Sequence, residues 1–236
     1  MADFIMIVPT RGRPQAVRQL AEAFSVACTV NTRLLIAVDD DDPDLEAYRE
    51  RAEEARSVFA NTELLVQSAP GCMAAALNMA ARDVVQEWPD AKAIGFMGDD
   101  HRPRTVGWDS RYVNSLEVAP GIVYGNDLIH GENLPTQFAV SASIVKALGF
   151  MSPGDLRHMY IDNYWRDIGN LAGCLMYRGD VVVEHMHPVA AKGEYDEGYE
   201  RVNAPEVFDH DRVAYEKYMS EFQDRDADTI RKAIGR

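Results

Sequence analysis

The chain has 236 residues, 47% of them hydrophobic and 26% charged, enough for one large domain that buries a full core without cross-links. Asp and Glu number 38 against 24 Lys and Arg, a formal charge of −14, which argues against a broad phosphate-binding face while leaving room for a local basic site. Cys28, Cys72 and Cys174 are odd in number and widely spaced, so neither a disulfide framework nor a zinc site is expected. No basic stretch precedes the short apolar run Phe4–Val8, and no run approaches a membrane span. The expectation is a soluble, cytoplasmic protein.

The first half alternates strand-like and helix-like patterns. Phe4-Ile-Met-Ile-Val8 is apolar and stopped by Pro9, as a buried strand would be. A loop follows, Pro14 suits a first helical position, and Val17, Leu20, Ala21, Phe24 and Cys28 recur at helical spacing. Leu34–Val38 is a second strand ending in Asp39-Asp-Asp-Asp42, with Pro43 opening a charged helix. Leu64–Val66 is a third strand, and an Ala-rich helix spans Cys72 to Val85. Ala93–Met97 is a fourth, ending in Gly98-Asp-Asp-His101, and Ile122–Tyr124 is a fifth, followed by Asp127. This pitch of alternation predicts βαβ units: an α/β fold with a mainly parallel sheet flanked by helices.

The acids fall directly after strands. In an open α/β sheet the carboxyl ends of the strands form the ligand crevice, so Asp39–Asp42, Asp99, Asp100 and Asp127 gather near one rim. A divalent cation is the simplest relief for so much like charge. Asp40, Asp42 and Asp44, at a helix start, are better read as turn and capping residues.

The second half is less regular. Ser141–Leu148 and Met159–Asn170 read as helices, and Val181–His187 reads as a strand ended by Pro188. Alternation puts His185 and His187 on one strand face, which makes them a candidate metal-ligand pair. Residues 191–205 read as a loop. Tyr215, Tyr218, Met219 and Phe222 fit one short amphipathic helix, and Ile230 and Ile234 fit a second. The expected organisation is a domain over 1–188 and a loop with a helical C-terminal extension over 189–236.

Four separated pieces, taken together, resemble the GT-A glycosyltransferases, most closely glycosyltransferase family 2. They are Ile7-Val-Pro-Thr-Arg-Gly-Arg-Pro14, Ala37-Val-Asp-Asp-Asp-Asp-Pro43, Gly71-x-x-x-Ala75-x-x-Asn78 and Phe96-Met-Gly-Asp-Asp-His101. Tyr160-Ile-Asp-Asn-Tyr-Trp165 is similar to the later motif that holds the catalytic base in inverting members. Glu184-His-Met-His-Pro188 looks like the position of a third metal ligand. Two positions depart from the pattern: Gly98 stands where the first Asp of the Asp-x-Asp motif falls, and Leu77 replaces an Arg.

The resemblance implies a GT-A-like, Rossmann-like fold and a metal-dependent, inverting transfer of sugar from a nucleotide-sugar donor to an acceptor hydroxyl. The donor expected first is a UDP-sugar. Pro9, Thr10, Arg11 and Asp39 would hold its nucleoside, with Asn78 in the neighbouring helix motif. Arg11 and Arg13 are also placed to meet a diphosphate. Asp100 is the first choice for a ligand to Mn²⁺ or Mg²⁺. Asp99 is expected on the donor ribose or the metal, and His185 or His187 as a nitrogen ligand would favour Mn²⁺. Asp162 is the expected base, with Asp127 as its alternative. The acceptor stays open, and the acidity makes a hydroxylated base in DNA the less favoured choice. Two further readings remain: a nucleotidyltransferase on a similar fold, and a catalytically inactive nucleotide-binding or interaction module.

Overall fold

Strand β1 (Phe4–Pro9) is buried along its whole length, and its alternation supplies two cores, one on each face of a sheet. Phe4, Met6 and Val8 enter one, Ile5 and Ile7 the other. The computed structural model describes residues 3–68, 71–187, 200 and 204–236. β2 (Thr32–Asp39) and β4 (Ala93–Phe96) flank β1 in parallel, and β3 (Thr62–Gln67) extends β2. The crossovers are α1 (Pro14–Ala27), α2 (Leu45–Val58) and α3 (Met73–Glu87). Val17, Leu20, Ala21 and Phe24 of α1 and Tyr48 of α2 pack on one face of the sheet. Leu77, Ala80, Ala81 and Val84 of α3 pack on the other. This half matches the βαβ expectation, and its parallel strands all end along one rim.

The second half completes the sheet with mixed pairings. It contains β5 (His101–Pro103), α4 (Trp108–Val118), β6 (Ile122–Asn126), β7 (Phe138–Ser141), α5 (Ala142–Leu148), α6 (Ile161–Ala172) and β8 (Leu175–His185). The strand order is β3-β2-β1-β4-β7-β6-β8-β5. β7 runs antiparallel to β4 and β6, β8 runs parallel to β6, and β5 runs antiparallel to β8. β5 and β7 are three and four residues long, too short for any period to announce them.

β8 starts at Leu175, well before the expected Val181, and its pairing with β6 jumps from Gly125–Arg178 to Asn126–Val182. The extra residues 179–181 form an irregularity of the bulge kind, which bends a strand and re-aims its later residues. Beyond it β8 leaves β6 and takes up β5, with His101 opposite His185. Val181 and Val183 stay in the core, as the alternation predicts.

The two short C-terminal helices expected from the aromatic spacing are one helix, α7 (Pro205–Ala233), 29 residues long. After Pro205 the segment carries neither Gly nor Pro, so nothing stops it. The loop expected over 191–205, and the domain boundary at 188/189, fall on or beside 188–199 and 201–203, outside the described residues. Ala227 and Ile230 of α7 join the core beside α5 and α6. Buried Asp226 accepts hydrogen bonds from the hydroxyls of Tyr164 (3.0 Å) and Tyr218 (2.8 Å). No helix among the described residues is long and apolar enough to cross a membrane.

Near its other end α7 carries Asp211, which is 0% exposed. Its carboxylate accepts the backbone N–H groups of Arg157 (3.0 Å), His158 (2.8 Å) and Met159 (2.7 Å). Burial alone would raise this carboxyl, but His210 and those three donors hold it below the ordinary carboxylate value. Asp211→Ala should lower stability by about 3 kcal/mol, because buried donors lose their acceptor. A carboxyl depressed in the fold contributes fully above its unfolded value of about 4 and stops contributing as pH falls through its lower folded value. Urea titrations of both proteins should therefore differ at pH 7 and converge in strong acid; equal midpoints at pH 7 would contradict the assignment.

Candidate active site

The rim where the strands end opens into a cleft of about 500 Å³, and three groups of residues line it. The first comes from the ends of β1 and β2. Pro9, Thr10, Arg11, Arg13 and Asp39 all face the cleft. The Thr10 hydroxyl donates to Asp99 Oδ2 (2.6 Å) and lies 2.9 Å from the Tyr48 hydroxyl. Arg13 reaches Asp99 Oδ1 at 3.3 Å, and Arg11 meets Asp39 Oδ2 at 3.3 Å and Asp41 Oδ1 at 2.5 Å. Burial pushes the carboxyls of Asp39 and Asp99 up, with the neighbouring Asp100 charge adding to the second. Asp39 Oδ1 is buried without a hydrogen-bond partner, an acceptor left for a ligand donor. Asp42 accepts the N–H groups of Gly12 (2.9 Å) and Asp44 (2.8 Å), the turn-holding part expected of it.

The second group lies where β4 turns into β5 beside the end of β8. Asp100, His101 and His185 bring one ligand atom each to within 4.8 Å of one another. Asp100 Oδ1 is 3.2 Å from His101 Nδ1, and Asp100 Oδ2 is 3.1 Å from His185 Nε2. The two imidazoles stack with centroids 4.1 Å apart. Burial, reinforced by the neighbouring imidazole, lowers His101 below its ordinary value, the direction that favours the neutral, metal-binding form. Asp100 is held far below the usual carboxylate range: burial pushes it up, and the two histidines more than reverse that.

These donors fit a divalent cation on two observations. Nδ1 of His101, the atom that faces Asp100 Oδ1, is buried with no hydrogen-bond partner. A Cβ built on Gly98 would stand 2.7 Å from Asp100 Oδ1 and 3.2 Å from His101 Nδ1. The missing side chain at 98 is thus what gives these two groups their room. Asp99, expected to share the metal, is turned instead to Thr10 and Arg13. His187 lines the cleft with its ring 4.9 Å from that of His185, but it is not one of the three convergent groups. His101 was not among the ligands expected from sequence. The available signal was its place directly after the acidic pair, hidden because a three-residue strand aims it.

The third group belongs to the segment before α6. Tyr160 holds the cap position in the left-handed region (φ 68°) and stacks on Tyr215 of α7, centroids 5.2 Å apart. Asp162 is therefore the second residue of α6, past the cap, and it faces the cleft. Burial pushes its carboxyl up, the direction that suits a group receiving a proton near neutrality.

Two expected site residues are otherwise engaged. Asp127 is 0% exposed; its Oδ1 accepts the N–H groups of Ile129 (2.9 Å), His130 (2.7 Å) and Gly131 (2.9 Å), and its Oδ2 accepts the Thr136 hydroxyl (2.9 Å). Buried and engaged by these four donors, it is committed to its loop and does not line the cleft. Asn78 Oδ1 accepts Met151 N–H and Ser152 N–H, both at 2.8 Å, and its Nδ2 donates to Ser152 O at 2.8 Å. Its side chain holds a loop behind the cleft wall. Trp108, Trp165 and Tyr124 are core residues.

No family model matches the chain, and no curated protein sequence does. Solved structures do resemble it. The mannosyltransferase PcManGT from Pyrobaculum calidifontis, in complex with GDP-Man and Mn²⁺, superposes with a TM-score of 0.59 at 16% identity, covering 98% of this chain and 73% of its own. TarS 1–349 from S. aureus, in complex with UDP-GlcNAc, superposes with a TM-score of 0.59 at 12% identity, covering 100% of this chain and 80% of its own.

Asn78→Ala should cost about 1–3 kcal/mol of stability through the two orphaned N–H groups; thermal melts of both proteins check this, and an unchanged Tm would contradict the loop-holding role. Mixed sheet, cleft at the strand ends and structural neighbours together give this chain the GT-A-like glycosyltransferase fold.

Proposed function

We propose that the protein is a metal-dependent, inverting glycosyltransferase that moves a sugar from a nucleotide-sugar donor to an acceptor hydroxyl. The observation that carries the reading is that one cleft holds both a cation-competent triad, Asp100–His101–His185, and a separate carboxylate, Asp162, whose affinity for protons is raised. The donor's nucleoside lies along Pro9, Thr10, Arg11 and Asp39, where the unpartnered Asp39 Oδ1 accepts from a base or ribose. Asp99 and Arg13 form the floor beside it. Both structural neighbours were solved with nucleotide sugars, GDP-Man in one and UDP-GlcNAc in the other, and a UDP-sugar remains the first donor to try.

Asp100, His101 and His185 would hold the cation, and two imidazole nitrogens favour Mn²⁺ over Mg²⁺. When bound, the cation offsets the charge that develops on the departing diphosphate. Asp162 takes the acceptor's hydroxyl proton as its oxygen bonds to the anomeric carbon. The bond from that carbon to the diphosphate breaks, and its electron pair leaves with the nucleotide. One displacement inverts the centre, so a single protein base suffices. The arginines of the first loop are committed to Asp39, Asp41 and Asp99, and no lysine follows β1 there, which speaks against nucleotidyl transfer.

Donor hydrolysis followed with UDP- and GDP-sugars, with and without Mn²⁺, tests the reading directly. Activity should vanish in EDTA and return with Mn²⁺, and Asp100→Ala should abolish it without unfolding the protein. Nucleotide binding without turnover of any donor would leave the inactive module as the better description.

Asp162→Asn should slow transfer on the order of 10²-fold or more while stability changes by less than about 1 kcal/mol. Because the ionised form is the base, the wild-type rate should fall as pH drops through a value above the ordinary carboxylate pKa of about 4, whereas the variant should be slow at neutral pH as well. An Asn variant as fast as wild type would remove Asp162 from the chemistry.

A further inference from the structure

We infer that Arg102 is a positioning residue for the proposed metal site: its buried guanidinium holds the backbone on both sides of Asp100 and so aims that carboxylate. The inference rests on the proposed metal triad. Arg102 is the middle residue of β5 and is only 9% exposed. Its Nη1 donates to the carbonyl oxygens of Asp99 and His101, both at 2.7 Å, and its Nη2 donates to Gln19 Oε1 of α1 at 2.6 Å. Burying a guanidinium is costly unless a carboxylate answers it directly, yet all three of these acceptors are neutral. The charges that attract it are those of Asp99 and Asp100, which flank or belong to the loop it grips.

Three successive carbonyls of that loop have assigned partners. Those of Asp99 and His101 turn to Nη1, while the Asp100 carbonyl between them accepts the Met186 N–H at 2.8 Å. The His101 N–H closes on Gly98 O at 3.2 Å. Each peptide plane from Asp99 to Arg102 is thus fixed by a hydrogen bond, and the direction of the Asp100 side chain follows from those planes. The aim matters because Asp100 divides its oxygens between two rings, Oδ1 at 3.2 Å from His101 Nδ1 and Oδ2 at 3.1 Å from His185 Nε2. Ligand groups of this kind must be held to within about 0.5 Å of their productive places. A planar fork with several donors reaches two carbonyls and a third acceptor at once, which the single nitrogen of a lysine cannot do. Through Gln19 the fork also ties the loop to α1, the helix that follows Thr10–Arg13.

Two substitutions test the role. Arg102→Lys keeps the charge and loses the fork, and Gln19→Ala, at an exposed position of α1, removes only the outer anchor. Calorimetric titration with Mn²⁺, well below the melting temperature of each protein, reads the site. Amide hydrogen exchange of His101 and Met186 in the metal-free proteins reads the loop. Arg102→Lys should bind Mn²⁺ about tenfold more weakly or worse, the scale usual for groups that orient a metal ligand from behind. Both amides should exchange faster in it, while those of β1 and β2 keep their wild-type rates. Gln19→Ala should move both readouts in the same direction by less. Wild-type Mn²⁺ affinity in a folded Arg102→Lys protein overturns the positioning role, whatever its melting temperature. Should Arg102→Lys not fold, Gln19→Ala decides: weaker Mn²⁺ binding supports the role, and wild-type affinity overturns it. Wild type that binds no Mn²⁺ overturns the metal reading itself, and faster exchange in Arg102→Lys would then still identify Arg102 as the holder of the loop.

Discussion

Three residues of backbone pairing decide whether this chain has a site. β5 faces β8 only at His101–His185, Arg102–Glu184 and Pro103–Val183, and directly opposed residues on neighbouring strands are the closest side-chain pairs a sheet can offer. The stacking of the two imidazoles and their approach to Asp100 follow from that register. A slip of one residue would turn one ring to the opposite face. The register is held from outside the strands. Met186 N–H donates to Asp100 O at 2.8 Å, and His185 N–H donates to Asp127 O at 3.1 Å. The irregularity at 179–181 is what brings β8 off β6 and onto β5 in the first place.

The acids of this strongly negative chain separate into two kinds. Asp42, Asp109, Asp127 and Asp211 spend their oxygens on backbone N–H groups. Asp109, for instance, ties Thr29 and Val30 to the start of α4 at 3.0 and 3.1 Å. Each fixes a loop that would otherwise bury unpaired donors. Asp39, Asp99 and Asp100 face the cleft and answer to arginine, hydroxyl or imidazole partners, and Asp162, also on the cleft, accepts the N–H of its neighbour Asn163 at 2.8 Å. Crowding at the rim is thus relieved largely by backbone donors and arginines, and the remaining charge is concentrated where Asp100 stands.

Much of this was legible in the residues themselves. Apolar runs stopped by Pro9 and by Asp39 announced β1 and β2, and the four motifs in order announced the sheet and contain several of the residues that line the cleft. What escaped has physical causes. β5 and β7 are shorter than any period, and their places in the sheet depend on partners far along the chain, Phe96 opposite Phe138 and His101 opposite His185. His101 read as a loop residue because only its strand partner aims it. Asn78 and Asp127 sit in motif or strand-end positions that suggest ligands, yet their partners are backbone groups, which no side-chain pattern reveals. α7 was divided in two because its polar middle interrupts the apolar stripe without interrupting the helix.

Gly98 has a consequence for how such a site can change over time. Restoring an aspartate there, the residue more usual at the head of the motif, would not add a third carboxylate to the two already present. Its Cβ would stand 2.7 Å from Asp100 Oδ1 and 3.2 Å from His101 Nδ1, so the Asp100 carboxylate would have to turn away to admit it. A side chain at 98 and the present pose of Asp100 therefore exclude each other, and a lineage that regains the aspartate must re-aim Asp100 in the same step.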